Sequence, residues 1–193
     1  MSVTSANRYL TRREMEGNAE IIAGAFLASG WTPNAIAAML GNMQSESTIN
    51  PGIYENLDNT SNTNGFGLVQ WTPNTKYKTW ADENGYSDYG DITGQIFRIL
   101  YEVDNDIQWI TTDKYPMSFK EFTKSTESPE TLAQAFLYNY ERPADLNQPK
   151  RSTQARAWYN FITYNPSTPI FPIEKKEMSK LLLYYAGTRS KMR

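Results

Sequence analysis

The clearest chemistry in the chain lies in Gly41-Asn42-Met43-Gln44-Ser45-Glu46-Ser47-Thr48-Ile49-Asn50-Pro51, where an apolar helical stripe ends in a carboxylate just before a loop. A helix C-terminus carries about half a negative charge, which favours the neutral form of a carboxyl placed there. A group that keeps its proton near neutral pH is suited to general acid catalysis. Glu46 is therefore the candidate catalytic acid. Histidine and cysteine are both absent. That excludes disulfides, thiol nucleophiles, Ser-His-Asp triads and zinc sites built on imidazole or thiolate. What remains for acid–base chemistry is chiefly carboxylate, and no cofactor is expected.

A second cluster, Gly65-Phe66-Gly67-Leu68-Val69-Gln70-Trp71, sets an amide and aromatic rings in a glycine-rich stretch. Gln70 offers a donor and an acceptor, and Trp71, Tyr54 and Phe66 are flat apolar surfaces suited either to a ligand ring or to the core. The candidates for a second carboxylate are Asp58, twelve positions after Glu46, and Glu55, Asp82 and Glu141.

The elements that must position these groups are marked by helix punctuation. Thr11-Arg12-Arg13-Glu14 is a capping box flanked by Leu10 and Met15, opening a helix from Arg12 to about Ser29. Thr32-Pro33 is an N-cap with proline at the first helical position, and the helix it starts, with Ile36, Met39, Leu40 and Met43 on one face, delivers Glu46. Residues 47–71 read as a loop with a small β-hairpin around Gly67 to Trp71. Thr72-Pro73 repeats the cap-plus-proline device ahead of Tyr77 and Trp80. Asp91 caps a long helix bearing Ile96, Ile99, Leu100, Val103 and Ile107, expected to be the central one. Ser118-Phe119-Lys120-Glu121, Ser128-Pro129-Glu130 and the stretch from Gln148 to Tyr164 supply three more helices. The fold expected is α+β but mainly α, about seven helices around a long central one with a hairpin beside a cleft. Asn165-Pro166-Ser167-Thr168-Pro169 marks a boundary between residues 1–164 and a linker with a short amphipathic helix in 165–193.

Charge divides along the same line. Phe171 to Arg193 holds six Lys/Arg against two Asp/Glu, while the preceding residues hold 13 against 19. An acidic body without clustered cations excludes a nucleic-acid enzyme. No stretch approaches the roughly 20 apolar residues of a membrane span. Ile21 to Gly30 superficially matches the hydrophobic region of a secretion signal, but Glu14, Glu16 and Glu20 precede it.

Gln44-Ser45-Glu46-Ser47 with Asn50-Pro51, followed by Gly65 to Trp71, resembles the lysozyme and lytic transglycosylase superfamily. More narrowly, with Tyr140-Glu141-Arg142-Pro143-Ala144, the chain resembles the phage tail lysozyme family over roughly Asn7 to Tyr164. The resemblance implies a lysozyme-like fold and cleavage of the β-1,4 bond between N-acetylmuramic acid and N-acetylglucosamine in peptidoglycan. It implies a virion protein at the tail tip that opens the host wall for genome ejection, and so reaches the wall without a signal peptide. It also implies that Glu46 and Asp58 are catalytic, with Ser47, Tyr54, Gly67, Gln70, Trp71, Tyr140 and Glu141 contacting the glycan strand. Other phage tail proteins are expected partners of the basic C-terminal segment. Two alternatives stay open: a lytic transglycosylase working with a single glutamate, and a non-catalytic wall-binding tail module.

Overall fold

The computed structural model describes residues 3–164, and the linker and basic amphipathic segment expected in 165–193 lie outside them. Seven α-helices follow one another: α1 (Arg12–Ala28), α2 (Pro33–Ser47), α3 (Thr75–Glu83), α4 (Ile92–Asp104), α5 (Phe119–Lys124), α6 (Pro129–Phe136) and α7 (Lys150–Tyr164). Local chemistry starts most of them. Thr11 and Glu14 form a reciprocal capping box on α1, and Ser118 and Glu121 form one on α5. Thr32 and Ser128 cap α2 and α6, each with proline in the first turn, and Asp91 caps α4. The helix expected at Pro73 begins instead at Thr75, behind a buried Asn74 whose amide donates to the Ser61 carbonyl.

Packing converges on α2, which touches α1, α5, α6 and α7, whereas α4 lies against α1, α3 and α5. The centre is therefore α2 and not the Asp91-capped helix. Composition explains this: Ala35, Ala37 and Ala38 join Ile36, Met39 and Leu40 in complete burial, so neighbours approach α2 closely on several sides. An aromatic cluster of Trp31, Trp109, Phe119, Phe122 and Phe136 fills the space beneath α5 and α6.

Contact between α2 and α7 depends on Gly41. A Cβ there would lie 2.7 Å from the Ala155 nitrogen and 2.8 Å from the Arg151 carbonyl oxygen, both of them backbone atoms of α7. Because backbone cannot yield as a side-chain end can, Gly41→Ala is expected to push the helices apart and to lower stability by about 1–3 kcal/mol. Urea unfolding measures this, and an unchanged midpoint would show that the two helices can separate freely.

The hairpin expected around Gly67 to Trp71 does not form. The described residues contain only isolated bridges, Tyr54 to Phe66, Phe66 to Trp71 and Thr112 to Tyr115. Gly67 at φ 80° and Gln70 at φ 48° turn the chain twice within four residues, which breaks strand alternation. No helix among the described residues is long and apolar enough to cross a membrane.

Candidate active site

A groove of about 430 Å³ opens beside the end of α2. One wall comes from the chain after α2, including Tyr54, Glu55 and Gln70, and the other from Gln108 and the stretch from Tyr140 to Pro143. Glu46 reaches it from the last turn of α2, which closes at Thr48 in a left-handed conformation.

Three consecutive residues of α2 bond to one face of α7. Gln44 accepts from the Trp158 indole at 2.9 Å, Ser45 donates to Gln154 at 2.6 Å, and Glu46 accepts from the Arg151 guanidinium at 2.5 Å. Positions 151, 154 and 158 share a face of an α-helix. Arg151 is nearly buried and also donates to the Asn42 side chain and to Gln148. Glu46 keeps a fifth of its side chain exposed to the groove. The positive charge beside Glu46 thus comes from α7 and opposes in sign the helix terminus that carries it.

Glu141 brings a second carboxyl to the same groove. α6 runs into one π-helical turn, Leu137–Glu141, after which Arg142 takes φ 49° and ends the helix. Such wide turns recur where a side chain must be re-aimed. One Glu141 carboxyl oxygen is sealed from solvent with no hydrogen-bond partner. Burial, and after it the negative charge of Glu46, hold the Glu141 carboxyl well above the usual carboxylate range. Both causes disfavour its charged form. It makes no ion pair with Arg142 or Arg156: Arg142 donates to the Gln108 and Asn139 carbonyls, and Arg156 pairs with Glu130.

The remaining residues singled out in the sequence divide in two. Tyr54, Gln70, Trp71 and Tyr140 line the groove together with Glu46 and Glu141. Asp58, Ser47 and Gly67 do not. Asp58 accepts from the Thr60 hydroxyl and amide and from Asn64, which hold its carboxyl below the usual range within its own loop. Asp82 accepts from the Tyr89 hydroxyl, whereas Glu55 lines the groove and accepts from the Gly65 amide. Ser47 is buried and donates to the Met43 and Leu68 carbonyls, tying the end of α2 to the following loop. Gly67 packs against the Gln95 side chain, where a Cβ would meet Oε1 at 2.6 Å.

The groove aromatics are anchored from beneath. Trp71 is stacked on Tyr77 at 4.9 Å and Tyr140 on Phe136 at 4.5 Å, so neither ring has two free faces. Their polar ends converge on buried Glu102, which accepts from the Trp71 indole at 2.8 Å, the Tyr140 hydroxyl at 2.5 Å and Arg98 at 2.8 Å. Gln70 donates to the Ile53 and Gly67 carbonyls. Arg151, Glu102, Gln108 and Tyr9 belong to the site but carry no local sequence pattern. Among the described residues no cluster of His, Cys, Asp or Glu is arranged to hold a metal ion.

A groove with an arginine-held glutamate at a helix end can donate and accept protons beside a bound polar chain. The sequence profile described as Phage tail lysozyme matches residues 17–162. Morphogenesis protein 1 of Bacillus phage B103 is 55% identical over 175 residues, 88% of this chain and 47% of that protein, so the chain spans about half the relative's length. With a profile match covering α2, α7 and both groove walls, the chain belongs to the phage tail lysozyme family.

Proposed function

We propose that the chain is a peptidoglycan-degrading glycosidase that cleaves the β-1,4 bond between N-acetylmuramic acid and N-acetylglucosamine. The observation that carries this is the pair of carboxyls, Glu46 and Glu141, facing one groove with only Glu46 bonded to a cation. Two glutamates flanking a scissile glycosidic bond is the arrangement such hydrolysis uses. Glu46 acts as the general acid toward the leaving oxygen. Glu141 takes the place expected for Asp58 as the second carboxyl, because Asp58 is held in its own loop. Burial raises the Glu141 carboxyl above the ordinary range, so Glu141 is a proton source in the same groove as Glu46, and Arg151 fixes the Glu46 side chain there.

Transglycosylation is the second reading, favoured because Asp58, the loop carboxylate expected as the partner of Glu46, lies outside the groove lining. There one glutamate serves as acid and then base while the sugar's own hydroxyl closes a ring. The relative's name places that protein in phage morphogenesis. We extend the reading to a virion component at the tail tip that opens the host wall for genome ejection, with other tail proteins docking on the basic segment after residue 165.

Mass spectrometry of purified peptidoglycan digested by the chain tests this directly. Hydrolysis gives muramic ends that have gained water, and transglycosylation gives the anhydro form. Pelleting with the wall but no new ends of either kind would leave a binding module and overturn the enzymatic reading.

A further inference from the structure

The residues before α1 carry none of the motifs that mark the site, yet residues 4–10 are pinned almost atom by atom. Two completely buried asparagines are committed to them. Asn18 exchanges hydrogen bonds with the Thr4 backbone at 2.9 and 2.8 Å. Asn50 donates to the Ala6 and Arg8 carbonyls, both at 2.6 Å, and accepts from the Ala6 amide. Asn7 bridges the Leu57 carbonyl and the Tyr54 amide, and the Leu10 amide donates to Thr48. Ser5 is pressed so closely on Gly52 and Gly90 that a Cβ at either would lie 2.5 Å from its hydroxyl. A segment outside the helices is thus fastened by side chains to α1 and to the loop that follows Glu46.

Tyr9 stands on that fixed backbone with its ring free. It is 63% exposed and lines the groove. Of the five large hydrophobics exposed among the described residues, the other four (Val3, Leu57, Ile110 and Tyr164) lie outside the groove lining. Trp71 and Tyr140, by contrast, are almost wholly buried and each has a face covered. A rigid backbone under an uncovered ring lowers the ordering cost of binding, and a flat aromatic offers the apolar face that a pyranose ring can cover.

We propose that Tyr9 is a stacking platform for a pyranose ring of the glycan strand, forming a sugar subsite at the rim of the groove. The proposal rests on the wall-cleaving reading and adds to it the residue that grips the strand away from the carboxyl pair. The ligand class is a β-1,4-linked chain of N-acetylated hexosamines, recognised by ring stacking with no charge involved.

The test is calorimetric binding of a peptide-free tetrasaccharide of alternating N-acetylglucosamine and N-acetylmuramic acid. The full chain carries Glu46→Gln so that cleavage is slow relative to the titration. Adding Tyr9→Ala is expected to weaken binding roughly three- to tenfold, the size of a single aromatic contact. Tyr9→Phe is expected to bind like Tyr9, because stacking uses the ring and not the hydroxyl. The urea midpoint should not move in either variant, since the side chain is mostly in solvent. Equal affinity of the Tyr9→Ala chain overturns the subsite while leaving wall cleavage standing, and so does an equal loss in Tyr9→Phe. Both readings are overturned if the Glu46→Gln chain with Tyr9 intact does not bind the tetrasaccharide and the unsubstituted chain does not cleave wall.

Discussion

Glu46→Gln is expected to lower the rate of bond cleavage in purified cell wall by about 10²–10⁴-fold, the usual contribution of a positioned general acid. The glutamine keeps an acceptor oxygen for Arg151, which also retains Asn42 and Gln148 as partners. The fold should therefore persist, at a stability cost on the order of 1–2 kcal/mol. Near-normal release of ends by a folded Glu46→Gln chain would remove the catalytic role. The companion change, Glu141→Gln, separates the two mechanisms. If the pair shares a proton, the glutamate whose carboxyl is held well above the usual range keeps that proton available as pH rises. Its removal should pull the high-pH limb of the rate profile toward lower pH, leaving the acidic side less affected. A profile measured from about pH 4 to 9 that matches the unsubstituted chain would assign all of the acid–base work to Glu46 alone.

Much of the scaffold was legible because its signals are local. A capping box is read from four residues, and the boxes at Thr11 and Ser118 start helices where they should. Glu46 at the close of an apolar helix is equally local, and so is the Tyr140-Glu141 pair that ends on the groove. What the sequence concealed is held by partners far apart. Arg151 is 105 positions from Glu46, and nothing in Lys150-Arg151-Ser152 distinguishes it from a surface arginine until α7 lies across Gly41. The choice of Asp58 followed the loop position that the lysozyme resemblance implies. Its own neighbours Thr60 and Asn64 satisfy it, as Asx turns often do. Ser47 and Gly67 were assigned to the ligand through their motifs, whereas their contacts tie α2 and Gln95 to the loop that forms one wall. The hairpin failed for a related reason, because left-handed turns at Gly67 and Gln70 aim the glutamine at the groove instead of continuing a ladder. Asn50 stands in the stretch that carries the resemblance, and in the structure it fastens the segment that carries Tyr9.

The largest loss of stability is expected at Glu102, a residue without any sequence signal. Its carboxylate has no exposure, and it receives three hydrogen bonds, from Arg98, Trp71 and Tyr140. Glu102→Ala would leave the nearly buried Arg98 guanidinium without its counter-charge and two buried donors without an acceptor. Breaking a buried pair from one side costs about 3–5 kcal/mol, a large share of the roughly 5–15 kcal/mol that holds a domain together. Glu102→Gln should cost less, since the amide oxygen can still accept from one of the two aromatic donors. Burial raises the Glu102 carboxyl above its ordinary value despite these partners. A carboxyl raised in the folded state favours folding most fully below its unfolded pKa, and that contribution is lost as pH rises through the folded value. The stability of the unsubstituted chain should therefore decline on the alkaline side of about pH 4.5, the ordinary glutamate value, and part of that decline should vanish in Glu102→Gln. Urea unfolding at a series of pH values measures both effects. A loss below about 1 kcal/mol in Glu102→Ala would mean that Trp71 and Tyr140 are held by packing alone. Because both rings line the groove, a loosened Glu102 should also blunt cleavage before the chain unfolds. The same buried carboxylate then links stability of the core to the shape of the site.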